Sequence, residues 1–89
     1  MPHVAFTSHL ARHLDCPPYE TDAKTVSAAL EAAFLRHPLL RSYLLDDQGR
    51  LRQHVMVFIN DQPVADRERL SDPLQSDSRI FVMQALSGG

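Results

Sequence analysis

Two groups of residues have types that could do chemistry. The first is the end of the sequence, Ser87-Gly88-Gly89, which follows an apolar run. Glycine has the most backbone freedom to lose on ordering, so a Gly-Gly end stays mobile unless something grips it. It is either a frayed end or a carboxylate on a leader slim enough to enter another protein. The second group is Cys16 with His9, His13 and Asp15, types suited to a nucleophile or a metal. Their spacing sets no general base against the thiol, and Cys16 leads directly into Pro17 and Pro18. His9 and His13 would form a ligand pair only on a helix, and this segment lacks a convincing helical pattern. Five scattered histidines do not make a metal site. "DDQGR", Asp46 to Arg50, is too short for a calcium loop. No catalytic residue and no bound metal are expected, which leaves the tail as the reactive candidate.

Composition narrows what such a tail could serve. Eighty-nine residues with 44% hydrophobic content and no Trp fit one globular domain whose apolar residues mostly serve the core. The net charge is −2 and the basic residues are scattered, so an electrostatic footprint for nucleic acid is absent. No apolar run has membrane-spanning length, and the first residues lack the pattern of a signal peptide. No membrane partner and a cytoplasmic location are expected. A single cysteine excludes an internal disulfide framework.

The elements that must position the tail are legible from periodicity. "HVAFTSHL", His3 to Leu10, reads as a first strand, and "CPPYE" as an extended or edge segment returning beside it. In "TVSAALEAAFLRHP", Val26, Ala29, Leu30, Ala33 and Phe34 form one apolar stripe at helical spacing. Thr25 is the expected N-cap, with Asp22 as rival, and Pro38 stops the helix. "LLRSYLL" suits one further short turn. "HVMVFIN" and "RIFVM" alternate as strands, with "NDQ" as a tight turn and "PVA" as a returning stub. "LSDPLQSD" suits turn chemistry with at most one helical turn. The expected class is α+β, with one main helix packed on one face of a mixed sheet.

Alternation puts Val55, Val57, Ile59, Ile80 and Val82 toward the helix, and Met56, Phe58, Phe81 and Met83 on the other side. Four large apolar groups without a second helix to cover them have the size of a binding patch, and Leu86 would extend it toward the tail. The expectation is a partner-docking face, with burial in a homodimer as the rival.

A strand running into a terminal Gly-Gly, after "TVSAALEAAFLRHP" and "GRLRQHVMVFINDQPV", resembles the MoaD/ThiS family of ubiquitin-like sulfur carriers. The likeness covers most of the chain from Thr25 onward. "HVMVFIN" with "ALSGG" is most similar to the branch that donates sulfur in cysteine-type biosynthesis. Where the family often has Pro in the last strand, this chain has Gln84. The resemblance implies a β-grasp domain over residues 1–86 and a flexible tail at 87–89. It implies no catalysis by the chain and no cofactor of its own. An E1-like adenylyltransferase of the ThiF/MoeB type would bind ATP and Mg²⁺ and couple AMP to Gly89. A sulfur donor protein would then convert the adenylate to a thiocarboxylate, and a downstream enzyme would accept that sulfur. Gly88 and Ser87 would thread the tail into the partner.

Two other functions share these features. A ubiquitin-like modifier would use the same Gly89 and the same class of activating enzyme, although Lys24 as the single lysine makes linked chains of the modifier improbable. A plain interaction module would leave the tail inert. The acceptor pathway, whether cysteine, thiamine, molybdenum cofactor or a siderophore-like metabolite, is not written in these residues.

Overall fold

The apolar stripe does form the main helix, α1, Val26–Arg36. Thr25 is its N-cap, and the Thr25 hydroxyl accepts from the Ala28 amide at 3.2 Å. Two further amides of the first turn are met from outside: Val26 donates to the Asp72 carbonyl and Ser27 to the Leu70 carbonyl. Pro38 does not merely stop this helix. It occupies the first turn of a second one, α2, Pro38–Leu44, where a missing amide hydrogen costs nothing. α2 has seven residues, more than the single turn expected, because Leu40 and Leu44 lie one turn apart and both insert into the core.

The computed structural model describes residues 1–7 and 17–84. Their strands are β1 (His3–Phe6), β2 (Tyr19–Glu20), β3 (Val55–Ile59), β4 (Gln62–Pro63) and β5 (Arg79–Gln84). They form one sheet in the order β2-β1-β5-β3-β4, with β1 and β5 parallel and the other pairs antiparallel. The two short strands lie at the edges, where the prolines of β4 and of the approach to β2 remove no ladder bond that is needed. Of the expected first strand, residues 3–6 are strand, while 8–10 lie outside the described residues, as does Cys16. The turn from β3 to β4 holds Asn60 at φ 51° and Asp61 at φ 71°, the left-handed pair that a two-residue hairpin needs and that Asn and Asp tolerate. The stretch from Leu70 to Asp77 forms no helix. Leu70 and Leu74 are instead buried beneath it, and the Leu74 amide donates to the Lys24 carbonyl.

One core lies between the helices and one sheet face. Val4, Leu30, Leu40, Leu44, Val55, Val57, Ile80 and Val82 are all sealed from solvent. Ile59 packs at the margin of this core. The Tyr19 hydroxyl donates to the Ala29 carbonyl at 2.6 Å and ties the β2 edge to α1. The helices thus cover one sheet face, and the period of two sends the alternate side chains to the other.

Candidate functional site

On that second face, strand register decides what meets what. β3 and β5 place Met56 opposite Met83 and Phe58 opposite Phe81. β1 places Ala5 opposite Phe81, and β4 places Pro63 opposite Phe58. One row across four strands therefore reads Ala5, Phe81, Phe58, Pro63. Directly opposed Cβ atoms lie about 4.5–5.5 Å apart, so Phe58 and Phe81 shield each other. The small Ala5 gives no such cover on the other flank, and Phe81 is left 40% exposed. Met56, Phe58 and Met83 are half-buried. The four residues assembled from sequence thus lie together as two adjacent rows on the face of the two longest strands that no described helix covers.

The sheet has two polar ends. At one end His3 pairs with Arg79 across β1 and β5, and the Asn60 side chain accepts from the Arg79 amide at 2.9 Å. At the other, β5 reaches Gln84 opposite Val55, and the chain continues toward Leu86, Ser87, Gly88 and Gly89. These four candidate residues lie outside the described residues, as do His9, His13 and Asp15. β5 is the central strand of the sheet, so the segment that follows it leaves from the middle of one sheet end. Two side-chain atoms there, Thr7 Oγ1 and Gln84 Oε1, are shielded from solvent with no hydrogen-bond partner among the described residues. Sequence reasoning had no signal for them, since burial of a polar strand end depends on neighbours from other elements.

A second feature beyond sequence reasoning lies beside Met56. Arg67 sends Nη1 to the Met56 sulfur at 3.7 Å and Nη2 to the Arg52 carbonyl at 2.9 Å. Arg52 Nε donates to the Ser42 carbonyl at 2.8 Å. The loop carrying Arg67 is held by two carboxylates. Asp72 accepts from the Ala65 and Asp66 amides, and Asp66 accepts from the Glu68 and Arg69 amides and the Ser71 hydroxyl. The Ser71 hydroxyl, then the Arg69 amide, hold the Asp66 carboxyl below its ordinary value. Asp46, which caps the Gln48 and Arg50 amides in the "DDQGR" turn, is held low chiefly by the Arg50 amide.

Among the described residues no three His, Cys, Asp or Glu side chains converge on a metal position. No described helix is long and apolar enough to cross a membrane. What the arrangement offers is a surface beside a strand end.

Comparison with known proteins agrees with this geometry. No curated protein sequence matches the chain. Among solved structures, SAMP1 from Haloferax volcanii is similar at 25% identity and a TM-score of 0.78, covering 99% of this chain and 98% of that one. A chain of the Amycolatopsis orientalis BexX/CysO complex matches over 100% of both chains at 20% identity and a TM-score of 0.83. Urm1 from Sulfolobus solfataricus covers 93% of this chain and 99% of its own at 14% identity and a TM-score of 0.71. At the lower identities the likeness is one of fold. The family model described as the ThiS family matches residues 13–89, further toward the N-terminus than the motifs from Thr25 onward and through the Gly-Gly end. The chain belongs to the ThiS family of small ubiquitin-like β-grasp carrier proteins.

Proposed function

We propose that the chain is a sulfur carrier whose working group is the Gly89 carboxylate. The observation that carries this reading is the family match, which extends to Gly88 and Gly89, on a domain whose central strand precedes them in sequence. A carboxylate is a poor electrophile. An E1-like partner of the ThiF/MoeB type would activate it: a Gly89 oxygen attacks the α-phosphorus of MgATP, and pyrophosphate leaves. Sulfide, or a persulfide followed by thiol reduction, then attacks the acyl carbon, and AMP leaves with the bonding electrons. The product is a thiocarboxylate, from which a downstream enzyme takes the sulfur. The chain itself holds neither ATP nor metal in this scheme and catalyses no step.

The adenylate must form where water is excluded, or it hydrolyses. The five residues after Gln84 span at most roughly 17 Å, so the globular domain must dock close to the partner's active site. The face of Met56, Phe58, Phe81 and Met83 stands beside that strand end and supplies the docking surface. Gly88 and Gly89 have no side chain to obstruct a narrow channel, and Ser87 is the next smallest.

A second reading has one observation behind it: the similar Haloferax protein is a small archaeal modifier protein. Conjugation to a lysine would use the same adenylate. Both readings require ATP-dependent activation of Gly89. ATP–pyrophosphate exchange with a ThiF/MoeB-type enzyme of the same organism tests this. Exchange with the full chain, lost on deleting Gly89 while the melting temperature is kept, is the expected result. Exchange that survives the deletion refutes the assignment.

A further inference from the structure

The sheet face that no described helix covers does not end at Met56. It continues into an open groove lined by Arg50, Arg52, His54, Met56, Arg67 and Glu68. On a chain of net charge −2 the lining of this groove carries three guanidiniums against two carboxylates, Asp46 and Glu68. Arg50 is committed to Asp46 by an ion pair at 3.3 Å. Arg52 and Arg67 have no carboxylate partner among the described residues, and Glu68 is the one other carboxylate on the rim. Elsewhere on the surface Arg41 is paired with Glu31.

The two guanidinium groups are also held still. Arg52 Nε is fixed on the Ser42 carbonyl, and Arg67 is fixed on the Arg52 carbonyl and the Met56 sulfur. Each keeps further N–H donors unspent, since a guanidinium carries five. An arginine already ordered loses less side-chain entropy when it binds. Behind them, Asp66 and Asp72 pin the loop that carries Arg67, and the Arg52 amide is bonded to the Leu44 carbonyl. The fixed cations flank an apolar side chain, Met56, on the strand that pairs with β5.

We propose that this groove is a docking site for an acidic segment of the activating protein, whose carboxylates engage Arg52 and Arg67 while its apolar neighbours cover Met56. The inference rests on the carrier reading for the identity of the partner, not for the existence of the site. Charge complementarity selects the occupant: two ordered guanidiniums favour paired carboxylates. A groove-to-groove contact with a second copy of this chain is disfavoured, because it would set the same cations against each other. The groove would set orientation and encounter rate, and the apolar rows would add contact area.

Two experiments separate the inference from the reading beneath it. In the first, the full chain is titrated with hexaglutamate, and with hexalysine as control, while the arginine Nε–H resonances are followed by NMR. Saturable shifts at Arg52 and Arg67, absent with hexalysine, are expected. Shifts of equal size at Arg36, Arg69 and Arg79 would overturn the proposal. In the second, pyrophosphate release by the ThiF/MoeB-type enzyme is measured for wild type, Arg52→Gln/Arg67→Gln and Arg36→Gln/Arg69→Gln. The groove variant should raise the KM for the carrier about tenfold with kcat unchanged, and wild type should lose affinity between low and moderate salt. The control pair should keep the wild-type KM and the wild-type salt dependence. A salt-independent wild-type KM overturns the proposal even if the variant misfolds. If the enzyme releases no pyrophosphate with any form, the carrier reading fails, and the peptide titration still judges the groove.

Discussion

Replacing Phe81 with alanine separates folding from docking. A Phe side chain brings roughly 150–250 Å² of apolar surface. With 40% of the residue exposed, roughly 60–100 Å² lies open and about 90–150 Å² is covered by its strand neighbours. At about 25 cal/mol per Å² the covered part contributes roughly 2–4 kcal/mol, an upper value because the unfolded chain also hides some of it. Alanine retains a fraction, so a loss of about 2 kcal/mol is expected. That corresponds to a melting temperature lower by roughly 10 °C in a domain of this size. The open part, if a partner covers it, adds about 2 kcal/mol to binding, close to thirtyfold in Kd. Thermal unfolding by circular dichroism and titration calorimetry with the activating enzyme give the two numbers. Leu30→Ala, at a sealed core position, should cost about 2–5 kcal/mol of stability and leave the affinity of the folded fraction unchanged. Leu35→Ala, at a position 86% exposed on α1, should change neither. Phe81→Ala with unaltered affinity would refute the docking face. A stability loss above about 4 kcal/mol, more than the covered part of Phe81 can supply, would refute the register that places Phe81 outside the core.

Two further outcomes follow from the loops and the strand end. Asp66 has its pKa lowered from 3.8 in the folded state, so its stabilisation is present above that value and is lost as pH falls through the folded pKa. Asp66→Asn should melt below wild type near neutral pH, and the gap should close in melts at acid pH; a gap that widens in acid would contradict this. Gln84→Leu removes an acceptor that is shielded and unpartnered, so denaturant unfolding should show it neutral or more stable by about 1 kcal/mol, whereas a loss above that would mean that Gln84 has a partner beyond the described residues.

The parts of the fold that were legible in sequence are those governed by local periodicity. The stripe from Val26 to Phe34 and the alternation in "HVMVFIN" and "RIFVM" each bury one side, and a period of 3.6 or 2 records it directly. The face of Met56, Phe58, Phe81 and Met83 followed from the same alternation, with no knowledge of register. Its degree of cover did not follow, because Phe81 owes it to Phe58 across β3 and its exposure to Ala5 across β1. The length of the second helix is not legible in sequence, because Pro38 begins α2 as readily as it ends α1. The groove of Arg52 and Arg67 was invisible for a related reason. Fifteen residues separate them, and they meet through a carbonyl and a loop pinned by Asp66 and Asp72. Nothing in the order of those letters specifies that meeting.

The chemistry assigned to the tail has its most direct test in intact mass. The full chain is incubated with the ThiF/MoeB-type enzyme, MgATP and a sulfur donor, and the protein is then weighed by mass spectrometry with fragmentation of its C-terminal end. The account predicts replacement of one oxygen by sulfur at Gly89, dependent on ATP and absent when Gly89 is deleted. An isopeptide to a target lysine without any thiocarboxylate would move the chain to the modifiers. An unchanged mass, with an enzyme that releases pyrophosphate on its own cognate carrier, would contradict the account.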